Sequence, residues 1–219
     1  VLEWTGEMGQ EKIAAAEGIQ LNHFPDPSKS RGQYLELLEL SVKESPEDDR
    51  NMHYLGREYL YRGRWDECIA VLKRHLAMPA AVWKDERAAS MRYIARAYAQ
   101  KGERQEARNW YLRAIAQAPY LREPYLDLAF LLYEEQQWDG VLYFTGCALE
   151  IKERPRTYIS EAASWGSLPY DLRGLAYYYT GRLEQGLALA REALSREPGN
   201  ERLKKNVKLM EQKAGSREK

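Results

Sequence analysis

Apolar and small residues recur along this chain with a helical period, and their offsets repeat from segment to segment. One segment carries Tyr54-Leu55-Gly56, Tyr59, Gly63, Cys68 and Leu72; a second carries Tyr93-Ile94-Ala95, Tyr98, Gly102, Ala107, Tyr111, Ala114 and Pro119. A third carries Leu128-Ala129, Leu132, Gln136, Val141, Ala148 and Leu149; a fourth carries Gly174, Tyr177, Gly181, Gly186, Ala190, Ala193, Leu194 and Pro198. In each, a small residue is followed three positions on by a large one, seven on by a turn residue and twelve on by a small or short one. That spacing predicts pairs of antiparallel helices. Small residues allow close approach, large ones fill the space between, and the turn glycines accept a positive φ where the first helix ends.

A helix pair repeated at about 34 residues is the tetratricopeptide pattern. The turn positions Gly63, Gly102, Gln136 and Gly181 are spaced by 39, 34 and 45 residues. Two insertions follow, around Met78 to Trp83 and within Glu153 to Pro169, and insertions between repeats often lie on a binding edge. One repeat cannot bury its own apolar face, so stacking supplies the core. Arg31 to Glu44, with Tyr34, Leu35, Leu37, Leu38 and Val42, reads as a lone helix, half a repeat ahead of the array. Glu201 to Lys213 reads as a polar-faced capping helix. The predicted fold is all-α: a right-handed tetratricopeptide superhelix over residues 28–214, with about four repeats, a half repeat and a cap, followed by a polar tail at 215–219. Residues 1–27 differ. Ile19 to Phe24 alternates apolar and polar like a strand, and this non-helical stub is expected to be the end of something larger.

Lys plus Arg and Asp plus Glu both total 33, so the net charge is zero. That argues against nucleic acid as a partner, whose readers carry a basic excess. Charge is unevenly placed: residues 201–219 carry about +4 and the first 46 about −4. No apolar run approaches the ~18 residues of a membrane helix, so no transmembrane segment is expected. The two cysteines, Cys68 and Cys147, are too few for a disulfide framework or a cysteine-rich zinc site. They suit buried positions in a reducing, cytoplasmic setting.

The charged runs between repeats resemble those of family 2 glycosyltransferases with C-terminal tetratricopeptide repeats. The similar stretches are His23-Phe24-Pro25-Asp26, Lys29-Ser30-Arg31, Pro46-Glu47-Asp48-Asp49-Arg50-Asn51, Tyr54 to Tyr59, Trp83-Lys84-Asp85-Glu86-Arg87, Ser90 to Arg96 and Arg122-Glu123-Pro124. They cover about residues 19–212. The resemblance implies a nucleotide-sugar-binding α/β domain preceding residue 1, with an Asp-x-Asp motif holding a divalent metal ion. This chain has no Asp-x-Asp, and Trp4-Thr5-Gly6-Glu7 lacks the His-Glu pair the family carries after it. The chain alone is therefore expected to be a scaffold region without a cofactor, binding a protein, a peptide or a glycosyl acceptor, rather than an enzyme. The resemblance also offers His23, three residues before Asp26, as a metal-related histidine.

No catalytic triad, Gly-x-Ser-x-Gly elbow or glycine-rich phosphate loop is present. Cys68 holds a small packed position and makes a poor nucleophile. His53 and His75 have no partner at metal-ligand spacing; His53 and Arg57, one helical turn apart, share a face, and His75 is expected to be partly exposed. The first helix of each repeat should line a concave groove. Its candidate residues are Arg50, His53, Arg57 and Tyr61, then Arg92 and Arg96, then Phe130 and Tyr133, then Tyr178. Arg57, Arg92 and Arg96 could fork onto a carboxylate or phosphate, with Tyr61, Phe130 and Tyr133 as an apolar wall. Two readings of the groove follow. In one, a stand-alone adaptor binds an anionic peptide; in the other, the arginines pair internally with Glu58, Asp85, Glu86 or Glu123.

Overall fold

The computed structural model describes residues 32–215, and over them the chain is an all-α tetratricopeptide superhelix of eleven helices. The stub at 1–27, His23 within it, and the last four residues lie outside the described residues. Helix α1 (Gly32–Glu44) is the half repeat, burying Leu35, Leu38 and Val42. Four helix pairs follow: α2 (Asp49–Tyr61) with α3 (Trp65–Ala77), α4 (Lys84–Gln100) with α5 (Arg104–Gln117), α6 (Arg122–Glu134) with α7 (Trp138–Glu150), and α9 (Leu168–Tyr179) with α10 (Leu183–Arg196). A single turn, α8 (Ala162–Trp165), precedes α9, and α11 (Glu201–Gly215) caps the array.

The predicted chemistry of the repeats is visible locally. Asp48 caps α2, accepting the Asn51 N–H at 2.9 Å. The turn residues Gly63, Gly102 and Gly181 have φ of 71°, 80° and 80°, and Gln136, in the same register, takes 58°. A side chain in that left-handed region is uncommon, so the geometry of the turn is imposed by the repeat rather than by glycine. At Gly56, a Cβ would stand 2.3 Å from Leu72 Cγ, so α2 and α3 touch there. Gly174 and Gly186 do the same for α9 and α10, with the Gly174 carbonyl oxygen 3.0 Å from where a Gly186 Cβ would be. Pro119 and Pro198 follow the ends of α5 and α10.

One core runs from Leu35 to Ala176 through the stacked pairs. A smaller one joins Ala190 to Val207 and Met210 of the cap, with Leu175 and Tyr178 packed against it. Asp171 on α9 binds Arg202 at 2.7 Å and Asn206 at 3.1 Å, fastening α11 polarly as well. Among the described residues, no helix is long and apolar enough to cross a membrane.

Candidate functional site

The second insertion folds back over the first helices of the array. From Ile151 to Glu161 it runs as an irregular strap, and it fastens to α2, α4 and α6. Ile159 is buried in the main core. The Tyr158 ring packs on Tyr54 (6.3 Å) and Trp83 (5.3 Å), and its hydroxyl donates to Glu86 Oε2. The Glu161 N–H donates to Glu123 Oε1 at 2.9 Å, which also takes the Trp165 indole N–H at 3.3 Å. Arg122 lies over the Trp165 ring at 4.0 Å and donates to the Ile151 carbonyl from Nη2 at 2.6 Å. The shorter first insertion is tied down by Arg87, whose Nη1 donates to the carbonyls of Leu76 (3.0 Å) and Ala81 (2.9 Å).

The strap changes the expected electrostatics of the groove. Arg92 is fully buried: its Nε donates to Asp127 Oδ2 and its Nη2 to Glu161 Oε1, both at 2.8 Å. Arg96 donates to Asp127 Oδ1 at 2.9 Å and Glu161 Oε1 at 3.2 Å. Two guanidiniums thus face two carboxylates. Burial alone would raise the Asp127 carboxyl, but the two arginines overcome it and hold the group below the ordinary carboxylate range. The internal acids are therefore not the four expected from sequence. Glu58 pairs with Arg62, Asp85 accepts from Tyr120, Glu86 serves Tyr158, and Glu123 anchors the strap backbone. Asp127 stands one residue beyond Leu126, so a one-residue shift in the helical register would have found it. Glu161 lies in an irregular segment that carries no such signal.

The other candidate residues are dispersed. Tyr61 and Phe130 are 62% and 48% exposed and line, with Arg96, Gln100, Leu126 and Glu161, an open cavity of about 450 Å³ between α2, α4, α6 and the strap. Tyr133 stacks on Phe130 at 6.3 Å and meets Trp138 edge-on at 5.7 Å; Trp138 in turn stacks on Tyr179 at 4.5 Å. Arg57 lies 4.9 Å over the Tyr54 ring, and Arg50 is exposed. Tyr178 faces the cap instead, with Lys213 Nζ 4.5 Å over its ring.

Both described histidines depart from expectation. His53 and His75 are completely buried, and with Glu86 they form a cluster whose ligand atoms lie within 4.8 Å of one another. Ser90 Oγ bridges the rings, 2.7 Å from His53 Nδ1 and 3.0 Å from His75 Nδ1. Burial pushes His53 down to about 3, so its ring is neutral at pH 7. Burial works to raise Glu86, and the His75 ring and the Tyr158 hydroxyl beside it hold it below the ordinary value. No spacing rule reveals this group, because its members come from α2, α3 and α4; only Glu86 and Ser90, one turn apart on α4, share a face in sequence. Cys68, buried with its thiol pushed up to about 12 by desolvation, has no nucleophilic character.

Stacked helix pairs with an open concave cavity define a helical-repeat solenoid of the tetratricopeptide class. The fold is similar to that of MamA, with TM-score 0.60 and 20% identity over 75% of this chain and 86% of that one. It is also similar to YrrB, a TPR protein with an unusual peptide-binding site, with TM-score 0.61 and 15% identity over 84% of this chain and 87% of that one. A chain of the APC/C hetero-tetramer Cut9–Hcn1 superposes with TM-score 0.65 at 11% identity, over 84% of this chain and 33% of that one. The sequence matches no family model and no curated protein.

Proposed function

We propose that this chain is a protein- or peptide-binding scaffold whose concave cavity takes a bulky apolar or aromatic side chain of its partner. The observation that carries this is the pair of exposed aromatics, Tyr61 and Phe130, facing one open cavity of about 450 Å³. Rigid aromatics on a preformed scaffold contribute most of the energy at binding surfaces. The charges around the cavity are close to balanced, because Arg92 and Arg96 together answer Asp127 and Glu161, and Glu134 on the wall pairs with Arg104. That favours an apolar anchor over the purely anionic peptide suggested by the arginines alone. A peptide-binding site on the similarly folded YrrB supports the reading.

The test is a peptide library titrated against the wild type and a Tyr61→Ala, Phe130→Ala variant. Both side chains are exposed, so the variant should keep its melting midpoint and lose binding at least tenfold. Equal affinity for both proteins would overturn the proposal. Affinity falling steeply with salt would favour the anionic adaptor, whose contacts are screened. A wider proposal, that the module serves a glycosyltransferase-like parent and its acceptor, rests on the charged runs alone. It requires a strand–helix domain with Asp-x-Asp encoded upstream of Val1.

A further inference from the structure

We propose that His53, His75 and Glu86 form a binding site for a first-row divalent cation, zinc(II) foremost, that pins α2, α3 and α4 together beneath the strap. Two imidazoles and one carboxylate are a ligand set suited to zinc. The hydrogen bonding divides the atoms of the cluster in two. Both Nδ1 atoms are engaged by Ser90 Oγ, and Glu86 Oε2 is engaged by the Tyr158 hydroxyl. Both Nε2 atoms are fully buried and, among the described residues, have no well-formed hydrogen bond. A serine oxygen has two lone pairs, so it can accept from both Nδ1–H groups and leave both Nε2 lone pairs available. Buried acceptors without a partner are costly, and a cation is what two such nitrogens and a carboxylate would share.

The separation of His75 from Glu86 agrees, and the three ligand atoms all lie within 4.8 Å of one another. His75 Nε2 and Glu86 Oε1 are 3.4 Å apart, long for a hydrogen bond, and a proton held between them is released when the cation binds. Two ligands on one zinc, each ~2.0–2.1 Å from the metal, are separated by about 3.3 Å in a tetrahedron. Each ligand also has the outer partner that metal ligands need for orientation: Ser90 for the imidazoles and Tyr158 for the carboxylate. Since Tyr158 belongs to the strap, loading the site should hold the strap down.

The experiment uses the full chain without a histidine tag, refolded in chelator and then with one equivalent of zinc(II). Expected are one zinc per chain retained after desalting, a raised melting midpoint that chelator reverses, and a tetrahedral cobalt(II) spectrum when cobalt replaces zinc. His53→Gln and Glu86→Gln should weaken zinc binding at least a hundredfold, and Ser90→Ala by ~10–100-fold. His23→Ala should leave it intact. If the glutamine variants do not fold, the cobalt spectrum of the wild type together with Ser90→Ala decides. Substoichiometric zinc in the wild type, or retention equal in wild type and variants, would overturn the site. The cluster would then be a hydrogen-bonded relay from His53 through Ser90 to His75, with no metal dependence. Peptide binding is not the readout, so this result is separate from the scaffold reading.

Discussion

Among the described residues, Arg92 is the largest side chain with no exposed surface, and a charge in that position is tolerable only because two carboxylates reach it. Replacing one partner leaves part of a buried charge unanswered, which for a fully broken pair costs ~3–5 kcal/mol. Asp127→Asn should cost less, about 2–3 kcal/mol, because Glu161 still serves Arg92. Its pH dependence has a definite sign. The Asp127 carboxyl is held below its ordinary value of 3.8 in the folded chain, so its contribution is complete above that value and is lost as the pH falls through the lower folded value. Denaturant unfolding of wild type and Asp127→Asn should therefore show a stability gap at pH 7 that narrows below pH ~3.8. A gap that persists unchanged into acid would contradict the assignment of the pair.

Helix approach is governed by single small residues. Gly56 sits where a Cβ would lie 2.3 Å from Leu72 Cγ and Cδ2, and overpacking of this kind costs ~1–3 kcal/mol. Gly56→Leu is expected to lower the melting midpoint, and Leu72→Ala in the same chain should recover part of the loss, because the two side chains compete for one space. If the two substitutions instead destabilise additively, the contact between α2 and α3 is not the one described. The charged runs that link the helix pairs also find their reason here. Arg87 ties the first insertion; Glu86, Arg92, Arg96, Arg122 and Glu123 fasten the second. Packing of the insertions calls for these residues, and Arg92 and Arg96 also join α4 to α6 through Asp127.

An array of repeats is quasi-one-dimensional, each unit touching only its neighbours, and its unfolding is correspondingly prone to proceed in parts. The strap works against this. Through Tyr158 and Glu161 it joins positions 65 to 72 residues apart in sequence, linking the first repeat, the second and the segment leading into the fourth. A Tyr158→Phe, Glu161→Gln variant should keep its helical circular dichroism. It should also show faster hydrogen exchange over 153–161 and a smaller denaturant slope than the wild type. An unchanged slope with unchanged exchange would mean that the strap is held by Ile159 and Trp165 alone. The cavity shares Glu161 with this fastening, so loosening the strap also reshapes the wall a partner would meet.

Repeat number, helix order, the turn positions, the half repeat and the cap were all legible in the residues, because each depends on offsets within about 34 positions, the span over which helical periodicity and turn chemistry act. Even Gln136, an unusual residue for a positive φ, was placed by its register. The partners of the arginines and histidines were not legible in that way. Arg92 answers Asp127 and Glu161, 35 and 69 residues on, and His53 meets Ser90 across 37 residues. Such pairings are set by how the helix pairs stack and by where an irregular insertion comes to rest. Neither leaves a period in the sequence, since the insertion has no repeating geometry of its own. The groove residues could thus be named from the first helices, while which of them stay exposed to a partner and which are sealed beneath the strap emerged only once those contacts were in place.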